Sequence, residues 1–140
     1  MIVLDTNIIS EPTKPSPNAT VLAWLNAQAE ASLFLTAPGM AEMWAGAQRV
    51  FLRDGSSRYA KSFERVADAY ADRILVFDFL AAKHFGDIVA QRERSGRPMA
   101  LIDAMIAAIC IAHGAVLATR NIRDFDGLDL KLVNPFEAHL

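Results

Sequence analysis

The chain has 140 residues, of which 53% are hydrophobic and 21% charged, with one cysteine and a formal net charge of -2. This size and composition predict a single globular domain over residues 1–140, and a lone cysteine excludes a disulfide scaffold or a cysteine-rich zinc site. The slightly negative charge argues against coating of nucleic acid by bulk electrostatics, because such binding neutralises many phosphates.

Short apolar runs alternate with segments of helical periodicity along the chain. Such runs are typical of buried strands, and apolar positions repeating every three or four residues are typical of amphipathic helices. Asp78 is a typical helix N-cap, and Pro98 and Gly114 mark the start and the end of the most periodic helix. In chain order we predict a strand at 2–4, a surface loop at 12–17, a helix at 21–25, a strand at 33–35, helices at 40–51 and 63–70, a strand at 74–77, helices at 80–89 and 98–113, a strand at 116–118 and an edge strand at 130–133.

This order of elements predicts an α/β fold. Short apolar strands separated by helices form a parallel sheet that is covered on both faces. We therefore expect a three-layer α/β/α domain with a short, mostly parallel sheet. Leu80 and Ile88 are expected on the buried side of their helix, Cys110 in the core as a small hydrophobe, and arginines such as Arg92 on solvated faces.

The sequence predicts neither a signal peptide nor a membrane span. Asp5 interrupts the apolar start, and the apolar stretch 99–112 contains Asp103 and is too short to cross a bilayer. With the lone cysteine, these features predict a cytoplasmic protein without membrane association. The widely separated histidines match no metal-binding spacing and are expected in structural or surface roles: His84, His113 and His139.

Polar side chains follow the first and fourth predicted strands. In a parallel sheet, the carboxyl ends of the strands and the starts of the next helices meet at one rim, where α/β proteins bind ligands. The residues at these positions are Asp5, Thr6 and Asn7 after the first strand, and Thr119, Arg120 and Asn121 after the fourth.

Further carboxylates join Asp5 at this rim. Glu42 and Asp103 lie near helix starts, and Asp124 lies one helical turn beyond Asn121. Each acid alone is explained by the preference of helix N-termini for negative charge, but several carboxylates on one rim repel one another unless a cation lies between them. Asp103 is the most informative of these acids. It lies in the most apolar helix, where an unpaired carboxylate is energetically costly. Oxygen ligands without cysteine or clustered histidine favour Mg²⁺ or Mn²⁺ over zinc.

Such a site suits phosphodiester hydrolysis, in which a metal ion activates water and offsets the charge that builds on the phosphate. A haloacid-dehalogenase-type phosphatase with Asp5 as nucleophile is a weaker alternative. Its general acid would stand two positions later, where this chain has Asn7. The residues alone therefore predict Mg²⁺-dependent phosphoryl chemistry and no narrower reaction.

Four segments in order resemble the PIN-domain family: residues 1–12 (MIVLDTNIISEP), 41–43 (AEM) with Gly46, 102–108 (IDAMIAA) and 117–125 (LATRNIRDF). More narrowly, the chain looks like the VapC-type toxins, including the FitB-like branch with its L-D-T-N-x-I-S-E-P opening. The resemblance implies a Mg²⁺-dependent endoribonuclease that acts as the toxin of a type II toxin-antitoxin pair. It also implies a homodimer that a VapB-like antitoxin holds inactive. The toxin is then expected to associate with operator DNA only through this antitoxin.

The acid quartet of the family falls on Asp5, Glu42, Asp103 and the stretch 121–124. The resemblance implies that Asp5, Asp103 and Glu42 bind the metal. Some relatives place Asp where Asn121 stands, and asparagine ligates only as a neutral oxygen or through water. Either Asn121 or Asp124 therefore completes the catalytic set.

Other residues beside the rim are candidates for contacts with RNA or with the antitoxin. An antitoxin arginine or lysine that entered the acid pocket would occupy the position of Mg²⁺. A neighbouring groove for an amphipathic antitoxin helix is expected at Met43, Trp44, Val50 and Phe51. The candidate substrate-binding residues are Thr6, Asn7, Arg97, Thr119, Arg120 and Arg123, of which the arginines suit phosphate groups.

Two other functions fit the same residues. One is a toxin-like binding subunit whose main role is an antitoxin complex on operator DNA. The other is a metal-dependent nuclease that acts on DNA. Incubation with RNA and Mg²⁺, with and without a chelator, separates an enzyme from a binding subunit.

Overall fold

The computed structural model describes residues 1–137, which contain five strands, six α-helices and three short 3₁₀ turns. The strands are β1 (Ile2–Leu4), β2 (Leu33–Thr36), β3 (Ile74–Leu75), β4 (Val116–Ala118) and β5 (Lys131–Val133). The helices are α1 (Thr6–Ile9), α2 (Ala19–Ala27), α3 (Ala37–Asp54), α4 (Arg58–Ala69), α5 (Phe79–Arg94) and α6 (Leu101–His113). The 3₁₀ turns are Glu11–Thr13, Glu30–Ser32 and Ile122–Phe125. His139 and the prediction made for it lie outside the described residues.

The strands form one sheet with the order β3-β2-β1-β4-β5, and all neighbouring pairs are parallel. β1 lies at the centre, where Val3 pairs with Phe34 of β2 and with Leu117 of β4. The α/β prediction is confirmed, and the last described strand lies at an edge as expected. Because the strands are parallel, the carboxyl ends of β1, β2 and β4 meet at one rim.

Two hydrophobic cores lie on opposite faces of the sheet. Successive side chains of a strand enter opposite faces, so Val3 and Leu4 belong to different cores. Val3 packs in the core that contains Ile106 of α6, together with α5. Leu4 packs in the core that contains Val21 of α2 and residues of α1, α3 and α4. These two cores confirm the three-layer arrangement.

Several element ends differ from the prediction. α3 extends to Asp54, where Gly55 adopts a left-handed conformation with φ 69° and ends the helix. α6 ends at Gly114 (φ 62°) as predicted, but it begins at Leu101, because Ala100 is still extended after the loop that contains Pro98. β3 is shorter than the predicted 74–77 and ends at Leu75.

Burial confirms two of the side-chain predictions and contradicts two others. Cys110 and Ile88 are buried, as expected. Leu80 is 50% exposed, so the prediction of a buried position is wrong: within residues 1–137, its place in the first turn of α5 leaves half of the side chain uncovered. Arg92, expected on a solvated face, is only 6% exposed because its guanidinium binds backbone carbonyls. None of the helices within residues 1–137 has the length and apolarity that crossing a membrane requires.

Candidate active site

Asp5 lies at the carboxyl end of β1 and is held there from several sides. Its backbone N–H donates to the carbonyl of Ala118 in β4 at 2.9 Å. As the N-cap of α1, its Oδ1 accepts a hydrogen bond from the N–H of Thr6 at 2.8 Å. Its Oδ2 accepts one from the hydroxyl of Thr119 at 2.7 Å. Asp5 is 3% exposed, so this carboxylate is fixed by the fold itself.

Thr119 links Asp5 to the loop after β4. Its hydroxyl donates to Asp5 and accepts a hydrogen bond from the N–H of Asn121 at 3.0 Å. Thr119 is fully buried, which is inconsistent with the predicted contact between its side chain and a substrate. The hydroxyl instead fixes the positions of Asp5 and Asn121.

Glu42 lies on α3, which begins close to the rim. Thr36 caps this helix, with its hydroxyl oxygen accepting a hydrogen bond from the N–H of Gly39 at 3.0 Å. A Cβ at Gly39 would lie 3.0 Å from the same oxygen, so a larger residue would require the Thr36 side chain to shift by a few tenths of an ångström. Oε1 of the exposed Glu42 accepts a hydrogen bond from the hydroxyl of Thr6 at 2.7 Å. Thr6 therefore orients Glu42, and its hydroxyl is already engaged.

Asp103 lies half-buried in the first turn of α6. Burial raises the pKa of Asp103 to about 6, and the negative charges of Asp5, Glu42 and Asp124 contribute to the increase. Burial also raises the pKa of Asp5, against the hydrogen bonds from Thr119 and Thr6, which lower it, while the charges of Glu42 and Asp124 raise it further. The four carboxylates are thus close enough to repel one another.

Asn121 and Asp124 lie on different sides of this acid cluster. Asp124, in the 3₁₀ turn after β4, lines a pocket that also contains Asp103. The exposed Asn121 lines a groove that contains Glu42 and Thr6. Of the two, only Asp124 adds negative charge to the cluster.

The donor set fits a hard divalent cation. Across residues 1–137, no lysine, arginine or histidine forms an ion pair with any of the four carboxylates. In the same part of the chain, no three histidine, cysteine or acidic side chains are arranged to hold a metal ion by themselves. Mg²⁺ usually keeps several waters and binds only one or two protein carboxylates, so it does not need a complete protein cage. Carboxylates that repel one another and have no ion-pair partner within residues 1–137 fit such an ion.

The pocket beside Asp103 and Asp124 also carries positive charge, and we call it the arginine pocket. It has a volume of about 390 Å³ and is lined by residues 98–100 together with Arg92, Arg97, Arg123, Asp103 and Asp124. The predicted substrate-binding residues Arg97 and Arg123 are both exposed and lie in this pocket. The arginine pocket therefore places cationic side chains next to the acids.

Asn7 lines the groove that contains Glu42, and its side chain contacts the backbone of Arg120. The guanidinium of Arg120 lies 4.5 Å from the ring centroid of Phe136, a cation–π contact. The side-chain carbonyl of Asn7 accepts a hydrogen bond from the N–H of Arg120 at 3.2 Å. Asn7 thus holds the loop after β4, and the Arg120 side chain stays exposed.

The groove that contains Glu42 has a volume of about 560 Å³ and continues between α3 and α4. Of the predicted antitoxin-groove residues, Met43 and Val50 line it. Trp44 lies outside this lining and packs against Phe63 of α4 at 4.9 Å between ring centroids, and the exposed Phe51 lies outside it as well. Two of the four predicted residues therefore line a groove, the other two lie outside it, and antitoxin binding in this groove stays a prediction.

Sequence reasoning missed two buried charged residues near the site. Arg92 is described below. Glu11 accepts a hydrogen bond from the N–H of Asn18 at 2.9 Å, and the Lys14 ammonium lies 2.8 Å from its Oε2 and lowers the pKa of Glu11. The usable signal was the spacing of an acid, a lysine three residues later and an asparagine N-cap.

A model of the PIN domain matches residues 2–130 of this chain. The chain therefore belongs to the PIN-domain family, which confirms the resemblance seen in the four sequence segments. The match includes each of the four carboxylates of the acid cluster.

Full-length relatives narrow this assignment. The chain is 38% identical over 138 residues to the VapC ribonuclease Y4jK of Sinorhizobium fredii, covering 98% of this chain and 99% of that protein. It is 37% identical to the plasmid stability protein StbB of Pseudomonas syringae pv. tomato (99% and 100% covered) and 33% identical to the toxin FitB of Neisseria gonorrhoeae (97% and 99%). The solved structure of FitAB bound to an IR36 DNA fragment superposes with a TM-score of 0.88 at 32% identity, covering 100% of this chain and 99% of that one.

Proposed function

We propose that this chain is a metal-dependent endoribonuclease that acts in the cytoplasm as the toxin of a VapBC-type toxin-antitoxin pair. In this proposal residues 1–140 form a single PIN-like domain. The observation that carries it is the cluster of mutually repelling carboxylates at the rim, Asp5, Glu42, Asp103 and Asp124, none of which forms an ion pair with a basic side chain within residues 1–137. The similarity to proteins named VapC ribonuclease and toxin FitB supports the same function.

In this proposal Asp5 and Asp103 hold Mg²⁺ or Mn²⁺ directly, Glu42 holds it through water, and Asp124 or Asn121 completes the catalytic set. When bound, the ion supplies an activated water and offsets negative charge on the scissile phosphate. The hydroxyls of Thr119 and Thr6 keep Asp5 and Glu42 in place, so the carboxylates need little reorganisation. This role replaces the predicted contacts of the two threonines with RNA.

The RNA chain is held by arginines beside the acids. Arg97 and Arg123 in the arginine pocket bind phosphates that flank the cleaved bond, and Arg120 binds the strand on the side of Asn7. Guanidinium groups suit this role because they offer paired N–H donors to phosphate oxygens. Local contacts of this kind let a chain with net charge -2 bind RNA.

Inhibition follows from the same chemistry. A VapB-like antitoxin places an arginine or lysine among the carboxylates and thereby excludes the metal ion. Its amphipathic helix occupies the groove lined by Met43 and Val50. Through this antitoxin the chain reaches operator DNA, and the FitAB complex, whose structure contains a DNA fragment, supports such an assembly.

We also propose a homodimer. Large apolar side chains are exposed at the starts of α5 and α6, and exposed apolar surface of this kind marks association sites. The residues concerned are Val76, Phe79, Leu80 and Leu101. Sedimentation of the wild-type protein and of a Phe79→Glu variant tests this point, and an unchanged association state in the variant would exclude Phe79 from the interface.

Cleavage of labelled RNA with and without EDTA tests the proposed activity. We expect cleavage that EDTA abolishes and that added Mg²⁺ or Mn²⁺ restores. Asp103→Asn should lose it, while Asp87→Asn, which removes an exposed acid on α5, should retain it. A DNA oligonucleotide of the same sequence tests the alternative of a DNA nuclease, which would cleave this DNA. A protein that binds an antitoxin but cleaves neither nucleic acid would instead be a binding subunit.

A further inference from the structure

Arg92 is a buried arginine whose side chain binds only backbone carbonyls. Its Nη2 donates to the carbonyls of Asp126 at 2.6 Å and of Asp124 at 3.1 Å, and its Nη1 donates to the carbonyl of Arg97 at 3.4 Å. No acidic side chain among residues 1–137 forms an ion pair with it. Burying a cation in this way is unfavourable unless its donors are used, so the hydrogen bonds fix the segments that they join.

The segments joined by Arg92 are those that form the arginine pocket. One is the loop between α5 and α6, in which the N–H of Arg97 also donates to the carbonyl of Arg92 at 2.9 Å. The other is the 3₁₀ turn that contains Arg123 and Asp124. Arg97 in turn donates from Nη2 to the carbonyl of Arg123 at 3.3 Å. Arg92 therefore joins the backbone of the two segments that carry the exposed arginines of the pocket, Arg97 and Arg123.

A second arginine, Arg73, also donates hydrogen bonds to backbone carbonyls, and it lies outside the arginine pocket. Arg73 donates to the backbone carbonyls of Glu30 at 2.6 Å, Leu33 at 2.9 Å and Ala69 at 2.9 Å. These acceptors join α4 to the start of β2 and contribute nothing to the arginine pocket. Arg73 also forms ion pairs with Glu30 and Asp72, and it serves as a control for the loss of structural carbonyl contacts outside the pocket.

We propose that Arg92 is the positioning residue of a phosphate subsite, in which Arg97 and Arg123 bind the RNA phosphate next to the scissile one. The inference rests on the proposed endoribonuclease function and adds the residue that positions its phosphate contacts. Asp103 and Asp124 line the same pocket, so an anion bound by the two arginines lies beside the cleaved bond. The guanidinium of Arg92 binds the backbone carbonyls of Arg97, Asp124 and Asp126, so Arg92 acts through the backbone of these two segments.

The test compares Arg92→Gln, Arg92→Lys and Arg73→Gln in the full chain, with a short labelled RNA and saturating Mg²⁺. Arg92→Gln should raise KM about tenfold, a loss of about 1.4 kcal/mol in binding, and change kcat by less than about threefold. In this variant, the slope of log KM against log salt concentration should decrease by about the amount expected for one phosphate contact. Arg92→Lys, which reaches fewer carbonyls, should give an intermediate KM. Arg73→Gln should lower Tm and leave KM unchanged.

A KM in Arg92→Gln equal to the wild-type value, or raised equally in Arg73→Gln, would overturn the proposal. If Arg92→Gln does not fold, Arg92→Lys decides, and a wild-type KM and salt dependence in that variant would overturn it. RNA binding in EDTA separates this inference from the proposed function. A wild-type protein that binds RNA more tightly than Arg92→Gln but does not cleave it would refute the nuclease activity alone, and one that neither binds nor cleaves RNA would refute both.

Discussion

Replacing Asp103 by asparagine is expected to stabilise the metal-free protein at neutral pH while removing its activity. Asparagine has nearly the same shape as aspartate but no charge. In the folded wild-type protein, burial and the charges of Asp5, Glu42 and Asp124 raise the pKa of Asp103 from 3.8 to about 6. The ionised side chain is therefore less stable in the fold than in the unfolded chain.

The expected size follows from this pKa. Each tenfold change in an ionisation constant corresponds to about 1.4 kcal/mol, so the upper limit at high pH is about 3 kcal/mol. Asp103 is only half-buried, and solvent screening reduces the expected value to about 1 to 2 kcal/mol. For a domain of this size we expect Tm of Asp103→Asn to exceed the wild-type Tm by roughly 3 to 8 °C.

The sign depends on pH in a defined way. The pKa of Asp103 is raised in the folded state. The free energy of unfolding of the wild-type protein, relative to that of Asp103→Asn, is therefore highest below pH 3.8 and falls as the pH rises through about 6. Thermal unfolding in EDTA should therefore show the full Tm difference at about pH 8 and little difference at about pH 4. Saturating Mg²⁺ should reduce the difference at high pH, because only the wild-type protein binds the ion with full affinity.

Asp87→Asn is the control, since it removes an exposed acid of α5 outside the cluster. Its Tm should follow the wild-type value at both pH values. An Asp103→Asn protein that is less stable than wild type in EDTA at about pH 8 would refute the reasoning. So would a Tm difference of equal size at both pH values, because it could not arise from ionisation of Asp103.

Three further predictions concern the other parts of the site. Thr119→Val removes the hydroxyl that binds Asp5, so the free energy of unfolding should decrease by about 1 kcal/mol and RNA cleavage should be reduced. Unchanged cleavage would exclude a role of Thr119 in positioning Asp5. Arg123→Ala should weaken RNA binding and lower its salt dependence by about one phosphate contact, and an unchanged slope in a binding titration would remove Arg123 from the RNA path. Met43→Glu should weaken antitoxin binding in calorimetry without abolishing RNA cleavage, and wild-type affinity would place the antitoxin helix outside this groove.

The fold and the location of the acid cluster were predictable from sequence for simple reasons. Short apolar runs between helical segments define a parallel sheet, and polar residues directly after two of these runs mark its rim. Asp5 follows β1 and Thr119 follows β4, and those strands are neighbours in the sheet. The periodic segment ending at Gly114 placed Asp103 at the start of a helix in the same way.

The roles of Arg92, Thr119 and Leu80 were not predictable for equally physical reasons. Arg92 binds backbone carbonyls, which every sequence offers, so no pattern of residue types indicates its partners. Thr119 directly follows a strand, a position typical of substrate-binding residues. Only the pairing of β4 with β1 shows that its hydroxyl faces Asp5. The periodicity around Leu80 marks an apolar face, but whether another element covers that turn depends on tertiary packing.

The central claim is that the rim carboxylates bind the divalent ion on which RNA cleavage depends. Mn²⁺ binding followed by electron paramagnetic resonance, with RNA cleavage measured in the same samples, tests it most directly. For the wild-type protein, occupancy and cleavage rate should rise together with Mn²⁺, and excess Mg²⁺ should displace the bound Mn²⁺. In Asp5→Asn and Asp103→Asn both should be lost, while Asp87→Asn retains both. Cleavage at the full rate in EDTA, or Mn²⁺ binding unaffected by loss of Asp5 and Asp103, would contradict the claim.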